Sequence, residues 1–241
     1  MAFQLEQVVP WGRNFDEYSM MFQLDDSYRS KKIASFGDGP ASFNCEASKM
    51  GYAVSSFDPL YQFSREQLQR RIEEVRKLVM QQLNENRDNY IWTKIKNPDE
   101  LELLRMSAMR LFLEDYEQGK KEGRYIQHEL PDRLPVSDDY FDVGLSSHFL
   151  LLYPDLGYEF HRKAISEMLR VCQEVRIFPI LNLDAKETEL ASRVIAYFSQ
   201  NNQTEIVETS YEFQKNGNQL LVIKKKGNVS PHENRRQPDV F

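Results

Sequence analysis

Apolar positions along the chain change period several times, and those changes predict its elements. Near the start, Asn14 can cap a short helix whose Phe15, Tyr18 and Phe22 fall three or four apart on one face, an amphipathic lead-in. The run from Lys31 to Phe36 stops at Gly37-Asp38-Gly39-Pro40-Ala41, where Pro40 suits the first turn of a helix. Ser42 to Lys49 forms that helix, Gly51 ends it, and Tyr52 to Phe57 returns as a second strand closed by Asp58-Pro59. Strand, glycine turn, helix and strand make a βαβ unit with a right-handed crossover.

From Ser64 the period becomes helical. Ser64 and Gln67 form a capping box, and Leu68, Ile72, Val75, Val79 and Leu83 recur among many charges. A second helix is capped at Asn97, with Pro98 at its first position, and carries Leu101, Leu104, Ala108, Leu111 and Phe112. Together they predict a helical insertion over about 64–118, far longer than an ordinary connection and suited to shaping specificity. Alternation resumes at Arg124 to Gln127 and at Tyr140 to Ser147, the latter after the turn Ser137-Asp138-Asp139. A helix follows over about Tyr158 to Cys172, with His161-Arg162-Lys163 reading as a solvated face, and then a mostly apolar strand over Val175 to Leu181. Asp184 and Glu187 read as the cap of a helix reaching about Phe198. Glu205 to Phe213 and Gln219 to Lys224 flank Lys215-Asn216-Gly217-Asn218, a hairpin turn signal. The prediction is an α/β fold: a Rossmann-like, mostly parallel sheet with a C-terminal antiparallel hairpin and a helical insertion after the second strand. Residues 1–226 form one domain, and the polar, aperiodic stretch 227–241 reads as a flexible tail.

Composition narrows the function classes. At 241 residues with 41% hydrophobic and 28% charged positions the chain has an ordinary globular balance, which excludes wholesale disorder. A net charge of -6, from 31 basic against 37 acidic residues, lacks the surplus that phosphate-backbone binding usually needs, so a small molecule is the expected partner and nucleic acid is not. Cys45 and Cys172 stand far apart with no clustered histidine, which predicts neither a zinc site nor a disulfide framework and suits a cytoplasmic location. No stretch reads as a secretion signal or a membrane span, and no metal is expected.

A glycine turn between a strand and its helix offers backbone N–H groups and the positive end of a helix dipole, while an acid ending the next strand can accept two ribose hydroxyls. Gly37-Asp38-Gly39 sits in the first position and Asp58 in the second. A dinucleotide would want a third glycine where Ser42 stands, and the Asp38 carboxylate would repel a pyrophosphate. No GxxxxGK[ST] run is present, which excludes a P-loop.

In Phe36-Gly37-Asp38-Gly39-Pro40-Ala41, in Asp58, in Leu134 to Asp142 leading into the fourth strand, and in the closing antiparallel pair, the chain resembles the class I S-adenosylmethionine-dependent methyltransferases. The resemblance covers about residues 31–225 outside the insertion, and implies a seven-stranded sheet. It implies that Gly37, Asp38 and Gly39 line the methionine end of S-adenosylmethionine, Asp58 holds the ribose, and Glu129 and Leu130 border the adenine. Ser146 and Ser147 would lie beside the transferable methyl, and S-adenosylhomocysteine would be the product. The chain departs from the family at Ser35 and Leu130, where acids are frequent, and at Val171-Cys172-Gln173-Glu174, which replaces a Lys-Pro-Gly-Gly turn. After the fourth strand it reads Ser146-Ser147-His148-Phe149, without the Asn/Asp-Pro-Pro-aromatic signature of the family's amide and nucleobase amine methylating members.

His148, at the carboxyl edge of the sheet, is the candidate general base, with a loop-packing histidine as the alternative. Tyr153 is a candidate for orienting an acceptor. Trp11, Arg13 and Tyr18 could cover the cofactor, with Arg13 meeting a carboxylate of cofactor or acceptor. The expectation is an S-adenosylmethionine-dependent methyltransferase, EC 2.1.1 type, acting on a small or medium acceptor. The alternative is a methyltransferase-like cofactor-binding or regulatory protein without turnover.

Overall fold

The computed structural model describes residues 11–226, so the tail expected over 227–241 lies outside the described residues. Helix α1 (Phe15–Phe22) begins as its capping residues demand: the Asn14 side chain accepts from the Glu17 N–H at 2.9 Å, and the Glu17 carboxylate accepts from the Asn14 N–H at 3.2 Å. Strand β1 (Lys32–Phe36), helix α2 (Phe43–Lys49) and strand β2 (Ala53–Phe57) form the predicted βαβ unit. Helices α3 (Arg65–Glu85) and α4 (Pro98–Lys121) are the insertion, each started by the cap its sequence announces: Ser64 accepts from Gln67 N–H and Asn97 from Glu100 N–H.

The rest of the chain supplies β3 (Tyr125–Ile126), β4 (Phe141–Ser147), α5 (Tyr158–Val171), β5 (Cys172–Phe178), α6 (Glu189–Ser199), β6 (Asn202–Glu208) and β7 (Gln219–Lys225). The seven strands run in the order β3-β2-β1-β4-β5-β7-β6, parallel except for β7, which is antiparallel to β5 and to β6. This is the class I Rossmann-like methyltransferase fold. Strand order reverses between β1 and β4, so a crevice opens beyond their carboxyl ends, where Gly37 and His148 lie.

Period-two alternation divides the core. Ala34, Phe36, Val175 and Ile177 face Ile165, Met168 and Val194 from α5 and α6, whereas Ile33, Val143 and Leu145 face Phe22 and Phe43 from α1 and α2. A third cluster, of Leu68 and Ile72 from α3 with Met109, Phe112 and Tyr116 from α4, closes on Tyr61 and Tyr125. The insertion thus shares its core with the segment after β2 and with β3.

Four expectations are corrected. Strand β5 occupies Cys172–Phe178 rather than 175–181, because Pro179 has no N–H to continue the ladder. Helix α6 is capped by Thr188, not Asp184: the Asn182 side chain accepts from the N–H groups of Asp184 and Lys186 at 3.0 Å and holds that stretch as a loop. The signal at 215–218 makes a local turn, with Gly217 N–H donating to Gln214 at 2.8 Å, but it lies inside a longer loop between β6 and β7. His161 is buried, and its Nδ1–H donates to the Gly157 carbonyl at 2.8 Å. It stands three, four and seven positions before Ala164, Ile165 and Met168, which places it in the apolar stripe of α5 rather than with its charged neighbours.

Among the described residues no helix is long and apolar enough to cross a membrane, and no group of three or more His, Cys, Asp or Glu could hold a metal ion.

Candidate functional site

A cavity of about 360 Å³ lies at the carboxyl edge of the sheet. Its floor is the glycine loop. Gly37 has φ of +70° and Gly39 of +56°, conformations that a side chain opposes, and a Cβ on Gly37 would lie 2.6 Å from the Phe149 ring. A Cβ on Gly12 would lie 2.1 Å from the Pro40 carbonyl oxygen, so only glycine there lets the lead-in segment lie against this loop.

The Asp38 carboxylate is buried and turned into the protein, where it accepts from the hydroxyls of Ser35, Tyr18 (2.7 Å) and Ser56 (2.6 Å). Burial pushes its pKa up, against the pull of these three donors. Ser35, standing where the resembled family often carries an acid, thus works as a donor to Asp38, joining β1 to its own loop. Tyr18 stacks on Phe43, centroids 4.1 Å apart, which fixes α1 over the same loop.

Asp58, only 6% exposed, accepts from Gly39 N–H and from Leu60 N–H, both at 2.8 Å. One carboxylate therefore ties the end of β2 to the glycine loop and still has lone pairs for a ligand. Burial pushes its carboxyl up to about 6, with the Asp38 charge adding to the shift and the two backbone donors opposing it. Phe57, His128, Glu129 and Leu130 continue this side of the cavity.

His148 also lines it. The backbone there has φ of +52°, an uncommon conformation for a residue with a side chain, held by its N–H donating to the Phe178 carbonyl at 2.7 Å. Its Nδ1 lies 2.9 Å from Ser147 Oγ. Burial, with the charges of Arg13 and Arg105, drives the imidazole pKa well below 6.5, so the ring is neutral at pH 7.

The structure brings Gly37, Asp38, Gly39, Asp58, Glu129, Leu130 and His148 together around one cavity. It does not bring Ser146 there. Side chains alternate along β4, so Ser146 turns to the face covered by α5 and is fully buried, while Ser147 takes the cavity side. Trp11, Arg13, Tyr18 and Tyr153 line the cavity as well.

Several lining residues are absent from the sequence reading. Arg105 of α4 is 1% exposed; its Nη1 donates to Glu17 at 2.5 Å and Nη2 to the Tyr211 hydroxyl at 3.4 Å, while Tyr211 donates to Glu17 at 2.9 Å. Its signal was available: an arginine four positions after Leu101 and three before Ala108 sits inside an apolar stripe, where a charge needs a partner. Tyr90, Phe213 and Gln214 had no local signal. They meet because the linker between α3 and α4 pairs with the loop between β6 and β7: Ile91 N–H donates to Phe213 at 2.7 Å and Lys215 N–H to Asn89 at 2.9 Å.

No protein-family model matches this chain. It is 35% identical over 223 residues, 92% of its own length and 98% of the other's, to the uncharacterized protein MJ0045 of Methanocaldococcus jannaschii. The chain belongs to the family of MJ0045. Solved structures similar to this MJ0045 relative include a SAM-dependent methyltransferase from Aquifex aeolicus, at 11% identity and a TM-score of 0.42 over 88% of this chain and 89% of that one. They also include a TehB-like SAM-dependent methyltransferase from Corynebacterium glutamicum, at 17% identity and a TM-score of 0.45 over 88% of each chain. For this member of the MJ0045 family the fold assignment rests on the strand order and the antiparallel seventh strand.

Proposed function

We propose that the protein binds S-adenosylmethionine at the glycine loop and transfers its methyl group to a small or medium acceptor. The observation that carries this reading is the buried Asp58 carboxylate, held by Gly39 N–H at the reversal point of a methyltransferase sheet. The residues fit the cofactor: Asp58 keeps acceptor sites suited to two ribose hydroxyls, and Gly37 and Gly39 leave room for close approach. Glu129 and Leu130 would border the adenine, with Phe57 and His128 beside them. Asp38, held by three hydroxyls, fixes the loop and puts negative charge near the sulfonium at the methionine end.

S-adenosylmethionine supplies an already activated methyl group and a neutral leaving thioether. What remains for the protein is alignment and, for a protonated acceptor, removal of a proton. In the tautomer whose Nδ1–H donates to Ser147 Oγ, His148 Nε2 would carry the lone pair that takes the acceptor's proton. The apolar walls from α3 and α4, Val79, Leu83 and Leu101, exclude water from that step.

Calorimetry with S-adenosylmethionine tests the assignment. Asp58→Ala is expected to weaken binding by about 1.5–3 kcal/mol, at least about tenfold, in a protein that still melts cooperatively. An unchanged dissociation constant would rule out the ribose role. Because the ribose hydroxyls must donate to an ionised carboxylate, and burial holds that carboxyl at about 6, affinity should fall as the pH is lowered through that value. From pH 7 to pH 5 the loss should be about tenfold, and Asp58→Ala should flatten it. Affinity that stays constant over that range in the unaltered protein speaks against Asp58.

A further inference from the structure

We propose that the methyl acceptor is an anion, a small carboxylate with an apolar body, and that Arg13 pairs with its carboxylate while Arg105 supports the same field from behind. This rests on the assignment of the glycine loop and Asp58 to the cofactor.

Arg13, from the segment before α1, and Arg105, from α4, both line the cavity, and burial with the Arg105 charge pulls the Arg13 pKa down. Asp38, Asp58 and Glu129 line the glycine-loop side of the cavity, and Glu17, the carboxylate beside Arg105, is already paired with it at 2.5 Å. Among the described residues Arg13 forms no ion pair. Its Nη1 donates to the Trp11 carbonyl at 3.2 Å, and its Nε is buried without an acceptor. The Nε of Arg105 likewise lacks one. A desolvated guanidinium without a counter-charge is costly, and a carboxylate bound at Arg13 in the cavity answers that charge.

The surrounding wall defines the rest of the ligand. Trp11, Tyr90, Leu101 and Phe213 line the cavity, and the Tyr90 ring stacks on Phe213 with centroids 4.9 Å apart. An apolar or aromatic body fits such a wall, and a strongly hydrated polar one does not. Arg105, Leu101 and Tyr90 belong to the insertion and its linker, so the same segment that enlarges the fold sets the chemistry of the acceptor.

The test uses benzoate and its neutral isostere benzamide, measured by ligand-observed NMR on protein saturated with S-adenosylhomocysteine, so that the cofactor's own carboxylate is already seated. Benzoate is expected to bind at least about tenfold more tightly than benzamide. Arg13→Gln should erase that preference and Arg13→Lys should keep part of it, with the dissociation constant of S-adenosylhomocysteine within about threefold in both variants. Equal affinity for the two probes, or binding of neither, overturns the proposal, as does a preference that survives Arg13→Gln. A tenfold or greater loss of S-adenosylhomocysteine affinity in Arg13→Gln also overturns it, because Arg13 then serves the cofactor. If the protein takes up no S-adenosylhomocysteine at all, the cofactor assignment fails, and the same benzoate and benzamide comparison on ligand-free protein still decides the anion site.

Discussion

Arg105→Met is expected to cost about 3–5 kcal/mol of folding stability, the range for removing one partner from a buried ion pair. The pair is buried on both sides, 1% exposed at Arg105 and 5% at Glu17, and Tyr211 closes the triangle with its hydroxyl on the Glu17 carboxylate. Burial alone pushes the Glu17 carboxyl up, but the charge and hydrogen bond of Arg105 outweigh it, so its pKa lies below the ordinary value. Remove the guanidinium and that carboxylate is stranded in a dry site, with the Tyr211 hydroxyl and the Asn14 N–H as donors and Arg13 the positive charge acting on it. The sign of the pH dependence follows. In the unaltered protein the folded pKa of Glu17 is depressed, so its contribution is present above the unfolded value of 4.5 and is lost as the pH falls through the folded one. In Arg105→Met the carboxyl is pushed up instead, so lowering the pH lets it take a proton and narrows the gap between variant and parent. Urea unfolding at pH 7 and pH 5 measures both effects. The double variant Glu17→Gln, Arg105→Met should recover much of the loss, since no uncompensated charge is then left. A single-variant loss below about 1 kcal/mol would mean that water or Arg13 already neutralises Glu17, and the triangle would not be what ties α1 to α4.

His148→Asn is expected to lower turnover at least about a hundredfold on an acceptor that must lose a proton, the usual scale for a positioned general base. Asparagine suits this test because it tolerates the positive φ found at His148, so the backbone that closes on Phe178 keeps its shape. Cofactor affinity should hardly change, which separates loss of the base from collapse of the loop. The pH profile carries the sharper signature. A base must be neutral, so the rate falls as the pH drops through the folded imidazole pKa, which burial, Arg13 and Arg105 hold well below 6.5. Asp58, at about 6, gives an acid limb of its own through cofactor binding, and saturating S-adenosylmethionine removes that one. The limb that persists under saturation belongs to His148 and should vanish in His148→Asn. The acceptor comes first, from a screen for S-adenosylhomocysteine release. If turnover and the persistent limb survive the substitution, His148 is a loop residue and the enzyme works by alignment.

Much of this site was legible because its parts are local. A glycine turn directly after one strand and an acid directly after the next are both local signals, and Gly37, Gly39 and Asp58 line one cavity. Caps at Asn14, Ser64 and Asn97 were read correctly because each is a hydrogen bond between residues three apart. Misreadings came where two local signals competed. Asp184 looked like a cap, but the Asn182 side chain had already claimed the neighbouring N–H groups. His161 was grouped with its charged sequence neighbours when its helical neighbours, Ala164 and Ile165, decided its fate. Ser146 was taken with Ser147, although successive residues of a strand face opposite ways.

What the sequence by itself determined is the order of elements, the glycine loop, the strand-end acid and the existence of a capped helical insertion, all set by contacts within a few residues or by a period. What only the tertiary structure decided is the cavity wall built by the insertion and the loop between β6 and β7. Glu17 and Arg105 are 88 positions apart, and the strip from Asn89 to Ile91 meets Phe213 to Lys215 across about half of the chain. Nothing in either segment alone says which charge or which edge it will meet. Those partners follow from how the insertion packs, since a buried charge or an open backbone edge has no low-energy state until another part of the chain arrives to satisfy it.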